Sequence, residues 1–443
     1  MTEPEKIRTL LATLADPPGE LTGAPLARVL TIAHGIRRRR RIRSVVVAAV
    51  LVVAVAVPVA VFGTHASQPR PPLAPVPAPT AYPSTGPGTV AALATGDWSS
   101  LPAAPIAPRS ADATVWTGRE LIRWGGIDSK DGRLLGDGAA YDAATNRWQL
   151  LPPSPLGPRD DTASVWTGTA MFIWGGTTFA ADGARYDPRT HQWRRLPPAP
   201  LPARVGAHAV WTGREVLVLG GTFAIPGPTT SPAGGFPESS DGAAYDPATN
   251  RWRSLPSLPI RPGYELYRLD AFAAGDAVYA LATSRHMGQR GSAGVIQFAQ
   301  DVWRCTDSCA QWLPEPSNVR LAGSRGPLWT GQEIVVPAGS AFLGVPVPAP
   351  VGTHGWRMRP GAGGWREMAH GPIDDSPHVS VWTGGALVGV DTQGRAAAWD
   401  PVADRWTRLP DAPRRVDNGA TIVWTGSQIL ILDPHGNMLR FGG

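Results

Sequence analysis

Six times the chain writes Trp-Thr-Gly, at Trp116, Trp166, Trp211, Trp329, Trp382 and Trp424, and a worn copy, Ala-Ala-Gly-Asp, surrounds Gly275. These openings recur about every 42 to 62 residues, a period that belongs to propellers and solenoids rather than to one compact core. Six of the seven blocks also close on a Trp that follows a tight turn, at Trp148, Trp193, Trp252, Trp312, Trp365 and Trp406. The chain has 443 residues, and the repeats cover nearly everything beyond residue 96, so a single large repeat domain is the economical reading. Eighteen Trp stand against seven Tyr and nine Phe. They would suit a carbohydrate-stacking surface, but their recurrence in register favours rings that fill the space between sheets.

The block from Arg159 to Leu196 shows how one repeat is built. It divides into four short β runs: Thr162 to Trp166, Met171 to Trp174, Ala184 to Tyr186, and Trp193 to Leu196. Apolar alternation interrupted by Gly, Asp and Pro is the pattern of a four-stranded antiparallel meander. Asp-Pro at Asp187, Asp246 and Asp400 supplies a side-chain acceptor and a preset φ for the last turn. Gly pairs at Gly125-Gly126, Gly175-Gly176 and Gly220-Gly221 mark places where the backbone turns sharply or another segment comes too close for a Cβ.

Double Gly after the second strand, then Tyr, then Trp six or seven residues on, resembles the kelch repeat. The match spans roughly residues 96 to 443 and is strongest in the first three full blocks. Later blocks depart from it: Pro337-Ala338-Gly339 and Gly389-Val390-Asp391 stand where Gly-Gly is expected, and Met358 and Trp399 where Tyr is. The resemblance implies an all-β, seven-bladed kelch-type β-propeller. Six blocks are complete, whereas the block opening at Trp424 runs out at Phe441-Gly442-Gly443 without its fourth strand. Trp98-Ser-Ser-Leu-Pro repeats the closing phrase with no strands before it, so it is expected to pair near Phe441 and close the ring.

Ahead of the repeats, Ser44 to Phe62 is nineteen residues without a charge, which as a helix rises roughly 28 Å and matches a hydrocarbon core of about 30 Å. Arg37 to Arg41 and Arg43 precede it directly, so the positive-inside rule puts the N-terminus in the cytoplasm and exports the rest. A cleavable signal peptide, cut near Thr64-His65-Ala66, is the alternative. The expected organisation is a cytoplasmic segment at 1–43, a single transmembrane helix at 44–62, a Pro-rich linker at 63–95 and the propeller at 96–443. The expected location is the cell membrane, single-pass, with the propeller extracytoplasmic.

The net charge of +6 invites a nucleic-acid reading, and its distribution argues against it. Residues 1–43 carry nine Lys or Arg against four acids, leaving the rest near neutral and without a basic field to draw phosphates. Cys305 and Cys309 are the only cysteines. Cys305 takes the Tyr position of its block and Cys309 lies in the turn, so a disulfide stapling that hairpin is expected, with a redox or metal pair as the alternative.

Candidate binding residues come from the loops at the channel mouth. Arg109, Arg159 and Arg204 each stand seven residues before their Trp, as Asp375 and Asp417 do in later blocks. The arginines should form an arc that either clamps a carboxylate or sulfate or bridges blades through backbone carbonyls. Asp160, Asp161, His208, Tyr264 and His378 join that face, and so do the long insertions Thr222 to Asp241 and Ser340 to His354. No spacing among them demands catalysis, and no metal or cofactor is expected. Galactose oxidase has a related propeller but needs Tyr and His on copper and a Tyr-Cys crosslink, and sialidase Asp boxes are absent. The resulting expectation is a non-catalytic binding module for a cell-envelope protein or polysaccharide. The alternative is an extracytoplasmic carbohydrate-active enzyme, either a mutarotase-like isomerase or an oxidoreductase.

Overall fold

The structure is a computed structural model that describes residues 86–442 except 178–179, 224–237, 287–296, 307, 318–325, 338–354, 363, 374–378 and 418. All of these belong to the unit Pro71–Gly443. The expected cytoplasmic segment and membrane helix lie outside the described residues, as does most of the linker. Among the described residues no helix is long and apolar enough to cross a membrane.

Seven four-stranded antiparallel sheets are present. Blade 1 is Ala113–Trp116, Glu120–Trp124, Gly138–Asp142 and Arg147–Leu150, and blades 2 to 6 begin at Ala163, His208, Glu265, Leu328 and Val379. Blade 7 takes three strands from the end of the chain, Thr421–Trp424, Ile429–Leu432 and Met438–Gly442, and its outer strand, Asp97–Leu101, from the beginning. Trp98 pairs opposite Phe441 in that last ladder, as the closing phrase implied. Seven hydrophobic clusters lie one between each pair of successive blades, and the cluster holding Leu121, Tyr141, Leu430 and Met438 joins blade 7 to blade 1. An interface for every blade, first to last included, defines a closed seven-bladed β-propeller.

The repeated residues each do a local job. In Trp-Thr-Gly the Thr hydroxyl closes the hairpin: Thr167 Oγ1 accepts from the Ala170 amide at 3.1 Å and donates to the Ala170 carbonyl at 3.0 Å. The following Gly168 sits at φ +85, where a side chain would be strained. In the last turn, Asp142 Oδ1 accepts from the amides of Ala144 and Thr145, both at 2.9 Å, and Asp246 and Asp400 repeat this. The Tyr of the third strand then reaches a residue held at positive φ in that turn. Tyr141 and Tyr245 donate to Asn146 and Asn250 at 2.7 Å, and Tyr186 meets His191 Nδ1 at 3.1 Å.

Closing tryptophans stitch one blade to the one before. Trp148, Trp193, Trp252 and Trp312 donate their indole N–H to the carbonyls of Pro102, Pro152, Pro197 and Pro256 at 2.9 to 3.0 Å. Trp98 does the same to Pro410 at 2.8 Å, so the stitch runs across the seam where the chain's ends meet.

The segment before blade 7's outer strand enters on the Trp-Thr-Gly side, hereafter the turn face. There the Thr383 hydroxyl of blade 6 donates to the Gly88 carbonyl at 2.6 Å, and one helical turn, Val90–Leu93, buries Leu93 between blades 6 and 7. The opposite side, which carries the double glycines, is the glycine face.

Candidate functional site

The glycine face is uneven. In blades 1 to 3 the second strand stops at its double Gly. Blade 4 has none, and its strands Glu265–Ala274, Ala277–His286 and Gln297–Thr306 run on for ten residues each. Its second strand is about six residues, roughly 20 Å at the strand rise, longer than the unbroken second strand of blade 3, which resumes pairing past its glycines only at Arg204–Val205 with Thr222–Phe223. In blades 6 and 7 a tight Asp turn stands in place of the double Gly. Asp391 Oδ1 accepts from the Gln393 and Arg395 amides, and Asp433 Oδ1 from those of His435 and Asn437. Among the described residues, blade 4's sheet thus continues where the second strands of blades 1 to 3 break and those of blades 6 and 7 turn.

Arg109, Arg159 and Arg204 form the expected arc, with their side chains turned inward. They are 0%, 3% and 0% exposed and present no guanidinium to solvent. Each bonds to the first glycine carbonyl of its own blade: Arg109 to Gly125 at 2.9 Å, Arg159 to Gly175 at 3.2 Å and Arg204 to Gly220 at 3.1 Å. Each also meets a carboxylate after that glycine pair, Asp137, Asp182 and Asp241 respectively. Burial pulls the Arg109 and Arg204 guanidinium groups below their ordinary value, opposed by Asp137 and Asp241. Their own carbonyls tie the blades together, since Gly126 and Gly176 donate to Arg159 O and Arg204 O at 2.8 Å. A Cβ on Gly125 would lie 2.6 Å from Arg159 O, which explains why glycine is required there.

Two residues after each arginine the chain reaches positive φ, at Ala111, Asp161 and Gly206. The Asp161 amide donates to Ala111 O and the Gly206 amide to Asp161 O, both at 2.9 Å, forming an inner collar around the mouth. Asp161 is thus aimed by the collar. It is open to solvent, yet protein surrounds it closely enough that desolvation, and then the neighbouring Asp160, raise its carboxyl above the ordinary range against the pull of His208. Its neighbour Asp160 is buried, with its carboxylate bound by the Thr177 hydroxyl.

His208, at the start of blade 3's inner strand, is half-buried, and its imidazole is pulled below the ordinary value by desolvation. Asp270, the Leu269 carbonyl and Asp161 oppose that shift, while Arg268 reinforces it. Glu238, at the end of blade 3's insertion, is pushed up to about 7 by burial, although the Gly221 and Leu269 amides bond to its carboxylate. Arg268 and Asp270 form a bidentate pair at 3.0 and 3.1 Å on blade 4's protruding strand.

Asp160, Asp161 and His208, singled out in the sequence, therefore come together with Glu238, Arg268 and Asp270, which were not. Glu238 had no distinguishing spacing within its insertion. The charged pair Arg268 and Asp270 at alternate positions was visible but lay in the block whose strands were hardest to delimit. Tyr264 stands apart at the far tip of blade 4's extended strands, its ring 5.3 Å from that of His286. His378, Asp375 and the insertion 340–354 lie outside the described residues. Asp417 meets His435 Nε2 at 3.1 Å across blade 7's Asp turn. Cys305 and Cys309 are disulfide-bonded and buried. No group of three or more His, Cys, Asp or Glu placed to hold a metal ion occurs among the described residues. Compared with known proteins, the chain matches no family model and no curated relative.

Among the described residues, the geometry defines a propeller scaffold carrying a titratable polar cluster between blades 2, 3 and 4. Long, irregular features on a rigid frame are where recognition surfaces form.

Proposed function

We propose that this chain is a kelch-type propeller held at the cell membrane by its N-terminal hydrophobic segment, facing outward. There it acts as a non-catalytic binding module for a protein or polysaccharide of the cell envelope. The observation that carries this reading is a division of labour. The repeated Trp, Thr, Gly, Arg, Tyr and Asp are occupied in turns and blade contacts, whereas Asp161, His208, Glu238, Arg268 and Asp270, which the repeat does not account for, meet on the arc of the glycine face formed by blades 2, 3 and 4. That face lies opposite the side where the chain enters the propeller. Asp161 and His208 are the ligand-contacting groups in this reading, and Arg109, Arg159 and Arg204 are positioning residues beneath them.

The test is retention of glycans on an array, and of envelope extract, by the full chain and by Asp161→Asn. Binding by the parent, weakened about tenfold or more in the variant while the denaturation midpoint is unchanged, supports the reading. Chemical turnover of a bound sugar, or stoichiometric copper in the purified protein, replaces it with the enzymatic alternative. Release of the native protein into the medium with a new N-terminus near Ser67 refutes the anchor.

A further inference from the structure

The Trp-Thr-Gly tryptophans end the first strands of six blades, and the first strands of successive blades neighbour one another from blade 1 to blade 7. Trp116, Trp166, Trp211, Trp329, Trp382 and Trp424 therefore stand on the innermost ring, at its turn-face end. Each packs on the apolar cluster that its blade shares with the preceding one, yet each stays half-buried. The six strands carry no Asp, Glu, Lys or Arg. In blade 4 Ala273 takes the Trp position, which leaves one gap in the crown of indoles. The N–H groups of Trp116, Trp166, Trp211, Trp329 and Trp424 bond to no group among the described residues.

The closing tryptophans show what an indole of this fold takes. Trp98, Trp148, Trp193, Trp252 and Trp312 all donate N–H to a proline carbonyl, in segments such as Pro152-Pro-Ser-Pro155 and Pro197-Pro-Ala-Pro200. An extended proline-rich chain suits this role, because its carbonyls have no partner within the chain and its rings lay apolar surface on an aromatic groove. One segment has that composition and no blade of its own. Residues 69–83 hold seven prolines among fifteen residues, with Arg70 the only charge. They come shortly before Gly88, whose carbonyl accepts from the hydroxyl of Thr383, next to Trp382, at 2.6 Å. The chain thus reaches the propeller beside the crown.

We propose that residues 69–83 occupy the indole crown, with prolines against the rings and backbone carbonyls accepting from the N–H groups. As a polyproline helix, fifteen residues reach about 46 Å. Seven sheets spaced about 10 Å apart enclose a ring about 22 Å across, so the segment can run from blades 6 and 7 to the far side. Its near lack of charge matches the uncharged strand ends, whereas the Arg run further upstream does not. The proposal is independent of binding at the glycine face. It also applies whether the chain is anchored or cut near Ser67, since the segment stays with the propeller in both cases.

Hydroxyl-radical footprinting of the full chain in detergent, with each tryptophan read by mass spectrometry, tests this against a full-length variant carrying Pro72→Ser, Pro75→Ser, Pro77→Ser and Pro79→Ser. Oxidation of Trp382 and Trp424 should rise about threefold or more in the variant, while the fully enclosed Trp174 keeps the parent's rate. Equal oxidation of the crown in parent and variant overturns the proposal. So does protection that survives in the variant and falls on dilution, which marks a second copy, or protection that appears only when envelope polysaccharide is added, which marks a glycan. Should Trp174 become exposed in the variant, a benzophenone side chain at position 78 of the otherwise unaltered chain decides. Crosslinks within the chain to the Trp-Thr-Gly hairpins support the proposal, and crosslinks between chains, or none, overturn it.

Discussion

Blades 1 to 3 and blade 4 solve one problem in two ways. The problem is how to end a sheet at the glycine face while keeping it tied to its neighbours. In blades 1 to 3 the second strand breaks at a double Gly and a buried arginine bonds to the first glycine's carbonyl; the backbone carbonyls of Arg159 and Arg204 also accept an amide from the preceding blade. Blade 4 has neither the arginine nor the glycines. Its strands continue past that point, and the backbone of blade 3's insertion meets the edge where the Glu238 amide donates to the Leu266 carbonyl. At its far turn a disulfide links Cys305 to Cys309, where blades 1 to 3 use a Tyr hydroxyl on a turn residue. Cys309 even keeps the positive φ shared by Asn146, His191 and Asn250. The lesson is that the ring requires each connection to be made and leaves its chemistry open, and that the blade with the unusual solution is the one that shapes the mouth.

The sharpest way to break this comparison is to remove an arginine. Arg204→Ala removes a fully buried guanidinium and leaves the Gly220 and Asp241 carbonyls without their donor and a cavity in its place, so chemical denaturation should show a loss of about 3 kcal/mol. A loss under 1 kcal/mol would mean the arginine arrangement is ornamental. Next in size is the blade 4 staple. Closing so short a loop is worth about 2 kcal/mol through the unfolded chain, so the double variant Cys305→Ala/Cys309→Ala should lose that much with the Arg204 effect unchanged. Smallest is the hydrogen bond that the disulfide replaces: Tyr141→Phe should cost about 1 kcal/mol. If it equals or exceeds the cysteine variant, the two devices are not counterparts.

Much of the scaffold was legible before any coordinates. Trp98 was assigned to a blade whose other strands lie at the far end of the chain because its closing phrase matched, and the ladder from Asp97 to Leu101 pairs as that match required. The arginine arc was placed on the right face by its fixed offset from Trp. Which way the side chains turn was not legible, because that depends on the carbonyls left free by each double Gly. The mouth was half read. Asp161 and His208 stood at loop positions, but Glu238 lies 30 residues beyond His208 and Asp270 another 32 on, with no shared spacing.

The sequence by itself determined the blades, their turns, their number and the joining of the two ends. Each of these rests on chemistry confined to a few neighbouring residues, such as Asp on the amides two and three ahead or Thr on its own hairpin, and repetition made that chemistry visible. The tertiary structure alone decided which groups are enclosed and which meet. Burial of Arg109, desolvation of Asp161 and the bond from the Glu238 amide to Leu266 exist only once seven packed interfaces fix the angle and height of each blade against the next.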